Sequence, residues 1–542
     1  MNLLDTPIVT TTAPAGSETI RRSLPETLGA LAAGEIRDFP RLRPHQRHVW
    51  HALLCQLAVL AMREVGLAEP PVSAETWRAA LLALTPKDPD GAAWSLVAPP
   101  DRPAFLQPPI PGGDLSDFKT VETPDAVDML VMSKNHDLKA GTLPADDAEL
   151  WLYALVSLQT QEGFLGAGNF GISRMNGGFA SRSALAVGPD GDASARFRRD
   201  VARMNATKDE IAARFGYRTT GGLRLVWLEP WDGASSLPLS SLDAYYIEIC
   251  RRVRLERHGA GLVARAAGSN VTRIEAKAAN GVTGDPWTPV ITTKEGAKAL
   301  TVDARGWSYR QLVRLLFPRA DDKKELICAA PLQVMTADDA PRDLAFLARA
   351  LVRGQGKTEG FFERRIPVSK TMRSILGAGR PTDAAAAIAH ERVGDAGKFA
   401  SKVLFPAVMS VLAGAPDTDA GERARDDDKT KDRTRARLDR FDDGVDGRFF
   451  EDLDLELAEV DDDAGRRAAR ARWIRDRLKP LGRDVLDEVI ASAVSPGANR
   501  EWRIRVAALD LFDACFIKQF GDQIAEALGR SADEAREETI DG

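Results

Sequence analysis

From Pro44 to Met62, apolar side chains recur at Trp50, Leu53, Leu54, Leu57 and Leu60, the spacing of one buried helical face. The periodicity returns over Glu149–Leu158 through Leu150, Tyr153, Ala154 and Ser157, then runs into the glycine-rich segment Gly163–Arg182. Between them, Thr85–Gly113 is broken by eight prolines from Pro86 to Pro111 and reads as irregular loop. The middle of the chain reads as more β. Gly222–Leu228 is β-rich, and Trp287–Val302 predicts a hairpin around the turn Lys294-Glu295-Gly296. Asp339–Val352 reads as a helix, and the glycine density of Arg353–Gly360 argues against a regular element there.

Beyond about Asp383 the character changes. Ala384–Leu412 is alanine-rich and helical, as are Asp452–Val494 and Glu501–Leu528. In the last, Trp502, Val506, Leu509, Phe512 and Phe516 follow helical spacing. Gly414–Asp446 is highly charged and poor in apolar residues, which predicts a mobile connection with short helices. Long helices joined by loops point to a bundle. The expected fold class is α+β: a large mixed N-terminal domain over residues 1–380, then a C-terminal four-helix bundle over 381–542, with the charged connection near 414–446. No internal repeat is visible.

Hydrophobic residues at 44% and charged ones at 28% are ordinary for a soluble globular protein. The 73 basic and 79 acidic residues give a net charge of −6, which excludes a wholly basic nucleic-acid coat but not local basic grooves. Apolar stretches such as His51–Met62 fall short of the roughly 20 residues a membrane span needs. Met1–Ser17 lacks a basic region followed by an apolar core. A soluble, cytoplasmic chain with no membrane partner is expected. Cys55, Cys250, Cys328 and Cys515 lie far apart with no C-x-x-C, against a zinc cage or disulfide framework, so neither metal nor cofactor is expected.

Gly166-Ala167-Gly168-Asn169-Phe170-Gly171 matches G-x-G-x-x-G, but a dinucleotide site needs a strand before it and a helix after it. Here a helical segment precedes it and more glycine follows. The remaining readings are a structural turn or a loop that must approach another backbone closely. Gly356-Lys357-Thr358 ends like a phosphate-binding loop, yet Leu351 stands where the full pattern requires glycine. His45, His48 and His51 fall three apart on one helical stretch without a metal motif, so polar packing is the plainer reading. No catalytic residue emerges. Several basic segments suit a phosphate backbone: Lys134–Lys139, Arg196–Arg199, Arg364-Arg365, and Arg466–Lys479 with Arg466 and Arg470. A solvated face is the plainer reading of the last run.

Met1–Leu4, Ser23–Leu28, Phe39–His51 with Arg43-Pro44-His45-Gln46, Lys134-Asn135-His136, Gly166–Asn169 with Arg174–Gly178, and Gly354–Gly360 with Glu363-Arg364-Arg365 follow one another along the chain. Taken together in this order, they resemble the CasA family, the large subunit of Cascade, the type I-E CRISPR surveillance complex. The resemblance implies a non-catalytic subunit in antiviral defence that recognises the protospacer-adjacent motif (PAM) in double-stranded DNA, starts strand separation and recruits the helicase-nuclease. Gly166, Ala167, Gly168 and Asn169 resemble the family's glycine loop against the minor groove, and Lys294 the lysine that reaches into it. Gln355, Gly356, Lys357 and Thr358 resemble the wedge hairpin; alignment backward from Glu363 puts Thr358 at its tip, with Gln355 three positions away, and either is the inserting residue. Lys134, Asn135, His136 and Lys139 resemble the loop that anchors the subunit to the crRNA end of the complex. Arg364, Arg365, Arg466 and Arg470 are the candidates for the DNA backbone. Implied partners are the target duplex, crRNA, the backbone, small and end-capping Cascade subunits, and the helicase-nuclease. A nucleotide-dependent enzyme and a pure scaffold are the competing readings.

Overall fold

In a computed structural model the chain forms two compact units, Met1–Trp307 with Asp322–Val368, and Ser308–Asp321 with Ser369–Gly542. The structure describes all residues except 15, 17, 129–140, 162, 164, 165, 176–181, 320–325, 337, 338, 340–342, 355, 356, 378–381, 415–426, 494–497 and 530–542. The fold class is α+β, as expected from the sequence.

The N-terminal unit packs helices Leu24–Ala33, Gln46–Val65, Ala148–Gln161 and Ala193–Phe215 with several small sheets around one core. Its largest fully buried side chains are mostly aromatic, Trp50, Trp77, Trp94, Trp151, Trp227, Trp231 and Trp287 among them. The start of Leu24–Ala33 is a capping box, in which Ser23 and Glu26 satisfy each other's backbone N–H groups. That is the physical content of the Ser23–Leu28 signature. The proline-rich stretch is irregular, as its sequence requires, and one side chain holds it. The buried Arg254 guanidinium donates to the carbonyls of Ala98, Pro99, Gln107 and Pro108 at 2.9–3.2 Å.

The sheet nearest the candidate loops has the order Lys357–Pro367, Leu344–Gly354, Ser183–Pro189, all antiparallel. The sequence reading of a helix over Asp339–Val352 is therefore wrong from Leu344 onward. A strand paired on both sides and covered on both faces carries a continuous apolar run, here Leu344–Ala348, and periodicity cannot separate that from a buried helix. Arg353–Gly354 and Lys357–Gly360 are also regular, as the facing ends of a hairpin. The long helix Ala193–Phe215 escaped the sequence reading, although Asp192 caps its start and Gly216 in the left-handed region ends it.

Four long helical stretches make up most of the C-terminal unit among the described residues: Asp383–Ala413, Asp428–Leu457, Asp463–Ser492 and Ala498–Leu528. The unit takes in the chain from Ser369, not 381, together with Ser308–Asp321, and so includes the helices Tyr309–Leu316 and Lys370–Leu376. The charged segment is no loose connection where it is described. Residues 428–446 open a helix whose sparse apolar positions Phe441, Val445, Phe449 and Phe450 are enough for one buried stripe. By length and composition Asp383–Ala413 is apolar enough to cross a membrane, but it is a core helix of this bundle.

Phe399 lies at the bundle's centre, with ring centroids of Phe441, Phe512, Phe516 and Phe520 within 5.1–6.2 Å. Three of the long helices contain a π turn: Ala400–Leu404, Ile474–Leu478 and Ile517–Gly521. Pro406 and Pro480 stand just after the first two, and a residue without an N–H breaks the regular helical ladder at that point. Gly482 lets its helix approach Phe399, since an added Cβ would lie 2.4 Å from the ring. Gly482→Ala is expected to lower the stability of this unit by about 1–3 kcal/mol through overpacking, read as a lower urea midpoint.

Candidate functional site

The helix Ala148–Gln161 delivers the chain into the glycine loop, and Gln159 fixes the angle at which it does so. Fully buried, Gln159 accepts from the N–H groups of Cys250 and Arg251 at 2.9 Å and donates to Leu106 O and Arg251 O. Arg251 in turn donates to the carbonyls of Gly163 and Phe170 and so pins both sides of the loop. Within it, Asn169 N–H closes a turn onto Gly166 O at 3.0 Å. Gly166 has φ +113° and Gly168 φ +81°, and Ala167 between them is exposed. A Cβ on Gly166 would meet nothing within 4 Å, so its absence is a matter of backbone conformation and not of internal packing. Gly168 lies against Gly268–Ser269, where its carbonyl accepts from Ser269 N–H at 3.0 Å.

On the far side of the loop, Ser173 and Arg174 both reach Glu248, through Ser173 N–H at 2.7 Å and Arg174 Nη1 at 2.6 Å. Arg174 also stacks 4.0 Å over the ring of Tyr246. Its Nε is 3.7 Å from Asp285, which pairs with Arg182 as well. Glu248, Arg174, Asp285 and Arg182 thus form a chain of alternating charge, every side chain 5% exposed or less. Burial alone would lower the Arg174 pKa, but Tyr246, Glu248 and Asp285 outweigh it and hold the guanidinium charged.

Ser183, next to Arg182, joins the hairpins to this chain. Its hydroxyl donates to Leu300 O at 2.9 Å, its carbonyl accepts from the Thr288 hydroxyl at 2.8 Å, and it pairs with Ala350 in the sheet. Leu300 and Thr288 flank the hairpin Val290–Thr293 and Gly296–Ala299 predicted from the sequence, whose turn exposes Lys294. Ala350 belongs to the hairpin Leu344–Gly354 and Lys357–Pro367. The glycine loop, the base of the first hairpin and the middle of the second are therefore tied to one buried polar chain. Gln159, Glu248, Arg251 and Asp285 were not singled out from the sequence. Their partners are distant in the chain, and no local pattern marks them.

Gln355 and Gly356 lie outside the described residues, as do Lys134, Asn135, His136 and Lys139. Lys357 opens the second strand opposite Gly354. Thr358 is not at the tip: it faces Arg353 in the ladder, is buried, and accepts from Arg353 Nη1 at 2.7 Å. The strand that follows Gly356-Lys357-Thr358 stands where a phosphate-binding loop needs a helix. Arg364 is partly exposed, whereas Arg365 is exposed and pairs with Asp190. In the other unit, Arg466 pairs with Asp463 at 3.2 Å. Arg470 is held by Asp395 at 2.6 and 2.9 Å and by Glu391, so it is a bundle ion pair and not a cation available to DNA.

The histidines pack, as their spacing suggests. His45 and His51 bond Asp128 and Asp200 at 2.6 and 2.8 Å, and His48 lies edge-on to Trp287. Cys55 and Asp200 both approach Nε2 of His51, so the three cannot relay a proton through the ring, and burial pushes the Cys55 thiol well up. No cluster able to hold a metal occurs among the described residues.

No protein-family model and no curated protein matches the chain. Solved structures do. CasA of Thermus thermophilus aligns over 96% of this chain and 99% of its own, at TM-score 0.62 and 15% identity. Cse1 of Thermobifida fusca aligns over 96% and 98%, at TM-score 0.62 and 16% identity. The CRISPR-associated Cse1 of Acidimicrobium ferrooxidans aligns over the same shares at TM-score 0.57 and 15% identity.

This chain has the CasA fold. The CasA likeness extends across both units, so the mixed unit and the helical bundle occur together in these structures as they do here.

Replacing Asp285 with Ala leaves Arg174 and Arg182 without their shared carboxylate, which is expected to cost roughly 3–5 kcal/mol in a denaturant titration. His48 and His51 are both held below the usual 6.5, first by burial and then by neighbouring arginines. The unfolded chain therefore binds protons that the folded one does not, and stability falls as pH drops below about 6.5. His48→Phe is expected to shrink the loss of urea midpoint between about pH 7 and pH 5.

Proposed function

We propose that this chain is the large subunit of a type I-E CRISPR surveillance complex and reads the PAM in duplex DNA. The observation that carries this reading is the CasA fold across 96% of the chain, with the glycine loop and two hairpins tied to one buried charge chain. A reader of the minor groove needs backbone that can lie flat against sugar and phosphate, and Gly166-Ala167-Gly168 with two left-handed glycines supplies it. Lys294, exposed on a tight turn, supplies a donor for the acceptors on the groove floor. Those acceptors are nearly the same for A·T and T·A pairs, so this reader tolerates several related motifs.

The hairpin Leu344–Pro367 is the wedge. With Thr358 buried in its ladder, Gln355 is the inserting residue, and unstacking one base step costs a few kcal/mol, which guide pairing and backbone contacts offset. Arg364 and Arg365 lie on the second strand of this element and Arg466 on the bundle, and these are the candidate contacts to the DNA backbone. Lys134, Asn135, His136 and Lys139 anchor the chain to crRNA beside the other Cascade subunits. The chain makes or breaks no covalent bond, recruits the helicase-nuclease, and works in the cytoplasm. A net charge of −6 suits this role, because partner subunits supply much of the positive channel.

Affinity purification of the chain from its host is expected to return a short guide RNA and several further subunits; return of neither sinks the proposal. In the reconstituted complex, Lys294→Ala and Gly166→Ala are each expected to weaken binding to motif-bearing duplex about tenfold, with crRNA assembly intact. Unchanged binding at moderate salt removes these residues from the site.

A further inference from the structure

A cavity of about 320 Å³ lies in the N-terminal unit, between the segment after Ile36, the start of the Gln46–Val65 helix, the turn at Pro189–Ala193 and the strands Leu344–Gly354 and Lys357–Pro367. Part of its wall is apolar, formed by Phe39, Leu42, Trp50 and Leu347. The rest carries five arginines, Arg37, Arg47, Arg196, Arg349 and Arg365, together with His51.

Four carboxylates line it too, and each is already engaged. Asp38 pairs with Arg47 at 2.8 Å, Glu363 with Arg349, and Asp190 with Arg365. Asp192 accepts from Ala195 N–H at 2.8 Å as the cap of a helix. Two guanidinium groups are left over. Arg37 is exposed, and among the described residues no carboxylate pairs with it. Arg196 has 12% of its side chain exposed, and Asp200, 3.8 Å away, is already bound by His51 and Arg199. Two buried donors on the wall also lack acceptors, Nε of Arg196 and the indole N–H of Trp50, a side chain 1% exposed. Burial, and after it the like charge of Arg349, depress the Arg196 pKa to about 10. Surplus positive charge and unanswered donors thus surround a space of small-ligand size.

We infer that this cavity binds a phosphate monoester of nucleotide size, with the phosphate on Arg37 and Arg196 and the organic portion against the wall of Phe39, Leu42 and Leu347. A monoester phosphate carries close to two negative charges at neutral pH, and the guanidinium groups of Arg37 and Arg196 fit its oxygens as forks. The apolar wall asks for an organic body, which inorganic phosphate lacks. A free nucleotide and the 5′-phosphorylated end of a strand present this same chemistry. The inference does not rest on the DNA reading: Arg37 and Arg196 have no part in it, although the cavity wall shares Arg365 and the strands Leu344–Gly354 and Lys357–Pro367 with the proposed wedge.

Calorimetry of the full chain tests it with adenosine 5′-monophosphate, adenosine, and a short oligonucleotide carrying either a 5′-phosphate or a 5′-hydroxyl. The nucleotide is expected to bind at least about tenfold more tightly than adenosine, and Arg37→Ala or Arg196→Gln to weaken it about tenfold. Equal binding of the phosphorylated oligonucleotide, lost with a 5′-hydroxyl, identifies a strand end as the source; binding of the mononucleotide alone identifies a free nucleotide. No binding of either phosphorylated probe, parity between adenosine and its monophosphate, or indifference to Arg37→Ala overturns the inference. Arg37 is exposed, so its variant keeps the fold and decides the matter if Arg196→Gln does not fold.

Discussion

The buried run of alternating charge from Glu248 through Arg174 and Asp285 to Arg182 is the constraint on which the candidate interface depends. Ions out of water are stable only where each is met by partners of opposite sign at short range. Each member can therefore sit in one place only, and the elements it touches inherit that precision. Arg174 fixes the exit of the glycine loop, and Arg182 delivers Ser183 to both hairpins. A purely apolar junction would fill the same volume but permit sliding. Charge here serves register more than strength.

The same device recurs at lower intensity. Arg254 gathers four carbonyls of a proline-rich loop that cannot satisfy itself through regular structure. Arg251 does this for the glycine loop, and in the bundle Arg392 meets Glu456 at 2.7 Å beneath the ring of Trp473. Many arginines that look in sequence like a basic surface are internal fasteners. That explains how an acidic chain can be rich in arginine and still show little positive surface to spare.

Legibility followed the range of the interactions. The helices at Gln46–Val65, Ala148–Gln161 and Asp383–Ala413, the irregular proline stretch and the Lys294 hairpin were all readable, because spacing, prolines and turn residues act within a few positions. The strand Leu344–Gly354 was misread because burial on both faces erases alternation. Residues 428–446 were misread because a bundle helix needs only one apolar residue per turn, which low overall hydrophobicity hides. Of the candidate interface, the glycines and Lys294 stood out locally. Gln159, Arg251 and Asp285 act across scores of intervening residues and left no mark. Arg470 was misassigned because a run of arginines cannot say which of them faces a carboxylate on another helix.

The π turns in three bundle helices bear on how such a chain diverges. A π turn accommodates one surplus amino acid inside a continuous rod and so spares everything downstream the rotation of about 100° that an extra α-helical residue would impose. Insertions and deletions can accordingly occur mid-rod without opening a loop, leaving the packed faces intact while residue-by-residue correspondence slips. Comparisons of shape tolerate that slippage far better than comparisons of letters do.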